Sequence, residues 1–431
     1  MVDVRIHRYA GCARAAALVV PVVLVLSAAA PQSRANPERV ALRADHGPHL
    51  VIDPGDPRTA IPGRYIVVLN DHGLSPQATR REAERLVARH GGTTVRVLES
   101  LRGFVYRGTD AAATNIAEDA QVQFVEQDHT VEADDPGPVT ALPGGPQANP
   151  PSWGLDRIDQ RVGPLNGRYR YPAVRHQVTV YVVDTGVRVS HREFRGRARW
   201  GGNFTGDRRD HDCNGHGTHV AGTIAGTTTG VAKSANIVSL KVLTCNNSGR
   251  TSDLLAAIEW IIAHGRRPAV VNMSLNSRGQ DPALAQEIAK ATAAGFLFVV
   301  AAGNTRSNAC HYSPGMLKAA VTVGATTIRD SRDSGYSNFG SCVTIFAPGT
   351  NIYSAWNRSD QAYSRSNGTS MAAPHVAGAA ALILGQNPNY TPGQVSTCLF
   401  QDASVGRLSS VGTESPNQML YINDDYRNCA S

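Results

Sequence analysis

Residues Val178–Val183 read VTVYVV and run directly into Asp184-Thr185-Gly186. An unbroken β-branched run of this length is the pattern of a strand covered on both faces. The same pattern returns at Ile237–Val242, Ala269–Met273, Phe296–Ala301 and Ala320–Val323. Between these runs lie helical patterns at His216–Gly226, Ser252–His264 and Pro282–Gly295. Buried strands alternating with helices predict an α/β domain over residues 152–431. Its architecture is a doubly wound, mostly parallel sheet with helices on both faces. In such sheets the binding crevice lies beyond the carboxyl ends of the strands, which is where Asp184 falls.

Residues 61–133 form a different pattern. Arg64–Leu69, Thr94–Leu98, Gly103–Tyr106 and Val122–Glu126 are strand-like. Pro76–His90 is helix-like and stops at Gly91-Gly92; Asp110 is placed to cap a second helix over Ala111–Asp119. The order β-α-β-β-α-β predicts a small ferredoxin-like α+β unit. Residues 134–151 hold six prolines and three glycines and read as an exposed linker open to proteolysis. At the start, Arg5, Arg8 and Arg14 precede the apolar Ala15–Ala30, and Ser33-Arg34-Ala35 resembles a cleavage site. Residues 1–35 thus read as a secretory signal, with an apolar stretch shorter than a membrane span needs, and a pro-segment follows over 36–60.

The 431 residues carry 42 Lys and Arg, 35 Asp and Glu, and 42% hydrophobic side chains, which excludes disordered and collagen-like classes. Residues 36–149 hold 11 Arg against 16 acidic residues; residues 150–431 hold 27 basic against 18 acidic. An acidic front part can therefore attract a basic back part. The basic residues are scattered with no run of five, so nucleic acid is not an expected partner. Beyond Cys12 there are six cysteines, an even number consistent with export and disulfides. Six allow 15 pairings; sequence-local pairing would join Cys213–Cys245, Cys310–Cys342 and Cys398–Cys429.

Four segments carry chemistry. Asp184 ends the first strand, where it could equally cap the following turn. His216 opens a helix in Asn214-Gly215-His216-Gly217, and two helix-weakening glycines there imply a close approach. The neighbouring Asp210, His211, Asp212 and Cys213 fit no standard zinc spacing. Ser370 stands at a helix start in Gly368-Thr369-Ser370-Met371-Ala372, where a serine is ordinarily only a cap. Asn304 ends another strand in Ala301-Ala302-Gly303-Asn304. Together they supply an orienting carboxylate, a base, a nucleophile and an oxyanion donor. Gly368–Ala372 nearly fits G-x-S-x-G, but an α/β-hydrolase needs its Asp and His after the serine, and His375 is the only later histidine. A non-catalytic binding protein of the same fold is the other alternative, disfavoured because every expected group is present.

These motifs, from about Trp153 to Leu420, resemble the subtilisin-like serine proteases (peptidase S8), in particular the proteinase K group and its disulfide-bearing bacterial members. The resemblance implies a secreted, monomeric serine endopeptidase of broad specificity. It would act on proteins and peptides through Asp184, His216 and Ser370, with Asn304 and the Ser370 N–H as oxyanion hole. It implies that Ser274-Leu275-Asn276 and Ala302-Gly303 line the S1 pocket, and that Asn247-Ser248-Gly249 pairs with the substrate backbone. The family usually has glycine at and just after Asn276. No cofactor is implied for the chemistry. Structural calcium is implied at Asp330, with carbonyls near Lys318 and Ala320, and at Asp156, Asp159 and Gln160, where Asn166 and Arg168 replace ligands. The front unit, through IPGRYIVVL (61–69), Gly103-Phe104 and Val125–Asp128, resembles an inhibitor I9-like propeptide. That likeness implies an intramolecular chaperone and inhibitor removed by self-cleavage. No membrane contact is expected after loss of the signal.

Overall fold

A computed structural model describes residues 51–52, 58–70, 74–133, 148–423, 425–426 and 429. The expected signal and residues 134–147 of the expected linker lie outside the described residues.

The larger sheet has nine strands. Its spatial order is Ser404–Val405, Gln418–Met419, Ile345–Pro348, Ala320–Thr326, Leu297–Ala301, Ala269–Met273, Thr179–Asp184, Asn236–Lys241 and Ala198–Asn203. Every pairing is parallel except that of the first two. Alternation along each strand divides the core. Val180, Val182, Val270, Val299 and Val321 pack with Val220, Ile224 and Val376 from helices His216–Ala225 and Thr369–Gln386. Tyr181, Val183, Val271, Phe298 and Val300 pack with Leu254, Ile258 and Ile288 from helices Thr251–His264 and Pro282–Ala293. Each fully buried Val or Ile contributes about 1.5–3 kcal/mol. The doubly wound α/β class read from the sequence is the class observed. The edge strand Ala198–Asn203 and the inner strand Ile345–Pro348 carried no clear signal: the first contains Gly201-Gly202, the second ends in proline.

The second sheet is built from Val122–Glu132, Ala60–Leu69, Gly103–Arg107 and Thr93–Leu98 in that order, all antiparallel. Val51–Ile52 adds a short parallel strand at its edge. Helices Pro76–His90 and Asp110–Ala117 cover one face through Leu86 and Ile116. The cap of the second helix is Thr109, not Asp110: Thr109 is extended and its side chain accepts from Ala112 N. Asp110 instead accepts from the Tyr65 hydroxyl. The other face, with Ile66, Val68, Val105 and Phe124, belongs to the same apolar core as Leu254 and Ile288.

The strand expected to stop at Glu126 continues to Glu132 because its end leaves its own sheet. Thr130–Glu132 pair antiparallel with Ser248–Arg250. Disulfides join Cys213 to Cys245, Cys310 to Cys342 and Cys398 to Cys429.

Candidate active site

Asp184 Oδ1 accepts two hydrogen bonds, from Thr185 N at 2.7 Å and from His216 Nδ1 at 2.8 Å. It is thus both a turn cap and a partner of the imidazole. A carboxylate on Nδ1 keeps the proton there and leaves Nε2 as the basic nitrogen. Both side chains are fully buried. The glycine after His216 has a steric reason: a Cβ on Gly217 would lie 2.0 Å from Gly186 O. The close approach inferred from the sequence is therefore made by the Asp184 loop itself.

Asp212 is the residue that sequence reasoning underused. Its Oδ1 accepts from Asn214 N at 3.0 Å, Gly215 N at 2.8 Å and Thr185 Oγ1 at 2.9 Å; its Oδ2 accepts from Thr218 N at 3.0 Å. A carboxylate at a helix N-terminus satisfies orphan N–H groups and complements the dipole. It also locks the Asp184 turn to the His216 helix. Its signal was an acidic residue four positions before His216. Lys241 closes the arrangement from below, donating to Thr185 O at 3.0 Å and Leu243 O at 2.6 Å; burial pushes its ammonium pKa down, and Asp207 opposes that shift.

Ser370 lies in the first turn of the helix Thr369–Gln386, and this helix packs against the one carrying His216. Ser370 Oγ donates to Ser274 O at 3.1 Å, and Ser274 Oγ donates to Ser370 O at 2.9 Å. Asn304 is anchored beside it: its Oδ1 accepts from Thr369 N at 2.8 Å and Thr369 Oγ1 at 2.9 Å, and Gly303 N donates to that hydroxyl oxygen at 3.0 Å. The Asn304 amide is thereby oriented by the residue preceding Ser370. The hydroxyl expected to be open is fully buried with the front unit in place. His375 packs inside its helix, Nδ1 donating to Met371 O at 2.8 Å, and burial pushes its pKa down to about 4.

The end of the front unit lies along the residues expected to bind substrate. Besides its pairing with Ser248–Arg250, Glu132 N donates to Asn276 O at 3.1 Å, and Asn276 N to Glu132 O at 2.9 Å. Ala133 N donates to Asn247 O at 3.3 Å, and Asn247 Nδ2 to Ala133 O at 2.7 Å. Behind this tail, Asp128 accepts from Ser252 N at 3.1 Å and Glu126 from Ala283 N at 3.0 Å, each at the start of a helix. His129 Nε2 lies 3.2 Å from Asp281 Oδ2 and 3.0 Å from Thr251 Oγ1. Burial pushes Glu126 well up, and Asp281 adds to the rise. Burial opposes the charged form of His129, but Asp281 outweighs it and raises the pKa.

The two expected calcium positions differ. Both oxygens of Asp330 accept from the Arg157 guanidinium, at 2.6 and 3.1 Å, so its charge is already neutralised. A cation there would have to displace a guanidinium that is 1% exposed, so Asp330 does not fit as a ligand in this arrangement. Asp156 and Asp159 fit better. Asp156 accepts from Asn166 N and Gly167 N at 3.0 and 2.8 Å, and Asp159 Oδ2 from Arg170 N at 2.6 Å. Asp159 Oδ1 is buried without a hydrogen-bond partner. Burial pushes Asp159 up to about 6 against the Arg170 N–H, and Asp156 adds to the rise. Among the described residues, Asp207 also lies near Cys213 and Cys245, but those sulfurs form a disulfide and offer no thiolate.

Residues 175–421 match the subtilase family (peptidase S8). The chain is 43% identical over 381 residues to an extracellular serine proteinase of Thermus sp. (strain Rt41A), covering 84% of this chain and 90% of that protein. It is 42% identical to alkaline serine exoprotease A of Vibrio alginolyticus, covering 86% of this chain and 69% of that protein. Among solved structures, a cold adapted subtilisin-like serine proteinase shares 46% identity at a TM-score of 0.60, covering 63% of this chain and 98% of the other. With this extent of similarity and the subtilisin-like arrangement of sheet and helices, the chain belongs to the subtilase family of serine endopeptidases.

Proposed function

We propose that this enzyme is a secreted endopeptidase made as a zymogen, in which Ser370 is the nucleophile, His216 the base and then the acid, and Asp184 the group that orients the imidazole. The observation that carries this reading is the 2.8 Å bond from His216 Nδ1 to Asp184. His216 Nε2 takes the Ser370 hydroxyl proton as Oγ bonds to the peptide carbonyl carbon. The carbonyl oxygen becomes an oxyanion, which receives hydrogen bonds from Asn304 Nδ2 and Ser370 N. The imidazolium returns its proton to the departing amine as the C–N bond breaks. Water then cleaves the acyl-enzyme by the same proton path. These steps use side chains of the protein, one backbone N–H and water. Extended substrates pair with Asn247–Gly249 and Ser274–Asn276, so main-chain bonds carry much of the affinity and specificity is broad along the strand away from the scissile residue. Export fits the extracellular relatives, and no helix among the described residues is long and apolar enough to cross a membrane.

Residues 61–133 act as an inhibitory prodomain: the Thr130–Ala133 tail occupies the groove that substrate needs. A calcium ion held by Asp156 and Asp159 would be structural, tying the helix Trp153–Ile158 to residues 166–170. The test is direct. Phenylmethylsulfonyl fluoride should abolish casein hydrolysis and label Ser370, and Ser370→Ala should accumulate as an uncleaved precursor. Full activity in the Ser370→Ala protein would refute the assignment.

A further inference from the structure

The register of the front unit's tail defines where a substrate side chain goes. Glu132 pairs antiparallel with Asn276. In any strand continuing that ladder, the residue two places later stands opposite Ser274. Ser274 O holds the Ser370 hydroxyl at 3.1 Å. The residue opposite Ser274 therefore presents its carbonyl carbon to Ser370. Its side chain enters between Ser274–Asn276 and Ala302–Asn304, the two segments that bracket the nucleophile.

One lip of that cleft is Gly303, at φ +100°. A Cβ built on it would lie 2.4 Å from Asn338 Nδ2 and 3.3 Å from Asn276 Nδ2. Asn338 belongs to the scaffold of its own lip: its Nδ2 donates to Ala302 O at 2.8 Å, and its Oδ1 accepts from Thr305 N at 3.1 Å and Ser307 N at 3.0 Å. Asn276 comes from the opposite lip. Its amide nitrogen thus reaches across the gap toward Gly303, and with the front unit in place the residue is 6% exposed. The lip it comes from is held in place, because Ser277–Arg278 pair with Tyr312–Ser313 and Gly279 N donates to His311 O at 2.9 Å.

We propose that Asn276 is the specificity-determining residue of this protease: its amide spans the cleft beneath the scissile residue, so the site takes small or amide-bearing side chains there and rejects aromatic ones. This rests on the catalytic reading above and names its substrate class. A spanning side chain removes the volume that a large ring needs, and a buried amide left facing a ring loses its hydrogen bonding.

The test compares peptide anilides that differ only in the residue before the scissile bond, Ala, Asn or Phe, with the secreted enzyme freed of its front unit. The wild type should cleave the Ala and Asn peptides with higher kcat/KM than the Phe peptide. Asn276→Gly should raise the Phe-to-Ala ratio of kcat/KM by about tenfold or more. Asn276→Ala should move it in the same direction and serves as the readout should the glycine variant not be secreted. A wild type that favours Phe, or an unchanged ratio in an active variant, overturns this proposal alone. A wild type that cleaves no peptide at all overturns the catalytic reading with it.

Discussion

Glu132 and Asn276 exchange both backbone hydrogen bonds, N to O in each direction, at 3.1 and 2.9 Å. On the substrate pairing proposed above, a substrate strand needs the same groups of Asn276. The front unit and a substrate are therefore mutually exclusive occupants, and activity should appear only as fast as the front unit departs. Activation of the purified precursor should follow its loss, measured together by casein hydrolysis and gel electrophoresis.

Asn304→Ala should lower kcat by about 10²–10³-fold with KM little changed, a magnitude carried over from the equivalent substitution in subtilisin, a member of this family. The amide is held by Thr369, so its loss removes a fixed donor without removing a ground-state contact. A KM rise at constant kcat would place Asn304 in substrate binding instead.

Asp184→Asn should keep the fold and lower kcat by about 10⁴-fold, because an amide can donate to Nδ1 and favour the wrong tautomer. Thermal unfolding close to wild type, together with that loss, would separate orientation from stability.

The hold of the front unit should weaken as pH rises. Burial pushes Asp253 and Glu287 up to about 7, and it raises Glu259 and Glu126 as well; His129 is raised by Asp281. Groups with raised values bind extra protons in the docked form. For Asp253 and Glu287 that stabilisation is complete below the free carboxylate range, near pH 4, and is lost as pH climbs through about 7; Glu259, Glu126 and His129, raised in the same direction, add to the loss at higher pH. In the Ser370→Ala precursor, trypsin should attack residues 61–133 faster at pH 8 than at pH 5, and Glu126→Gln should flatten that dependence. A hold that tightens with pH would contradict the sign.

Chelation should lower the melting temperature of the mature enzyme, by about 5–10 °C relative to calcium at 100 times its dissociation constant. Asp159→Asn should abolish that calcium increment. Asp330→Asn should destabilise with and without calcium alike, because it strands the buried Arg157 guanidinium. Differential scanning calorimetry with and without EDTA distinguishes the two.

What was legible in the sequence was local. Val178–Val183 announces a doubly covered strand because a continuous apolar, mostly β-branched run is visible in six residues, and Pro76–His90 is bounded by its own proline and glycines. The groups at Asp184, His216, Asn304 and Ser370 stand out because each lies at the start or end of an element among small residues. What escaped depends on partners far along the chain. Residues 127–129 stay paired with residues 60–65 of their own sheet, and Thr130–Glu132 continue as strand because Ser248–Arg250 receive them. Asp330 reads as a carboxylate offered to calcium until Arg157, 173 positions earlier, folds onto it. Asp212 and Lys241 look like ordinary charges, and their burial beneath the Asp184 turn is a product of tertiary structure.

On the zymogen reading proposed above, the two carboxylates that accept from Ser252 N and Ala283 N belong to the segment that self-cleavage discards. Once it is gone, two neighbouring helices start without those acceptors, and the apolar surface around Leu254 and Ile288 loses part of its cover. The matured molecule is therefore poorer in favourable contacts than the chain that produced it. Its endurance outside the cell then rests on the height of the barrier it must climb to come apart, so its lifetime is a rate rather than an equilibrium.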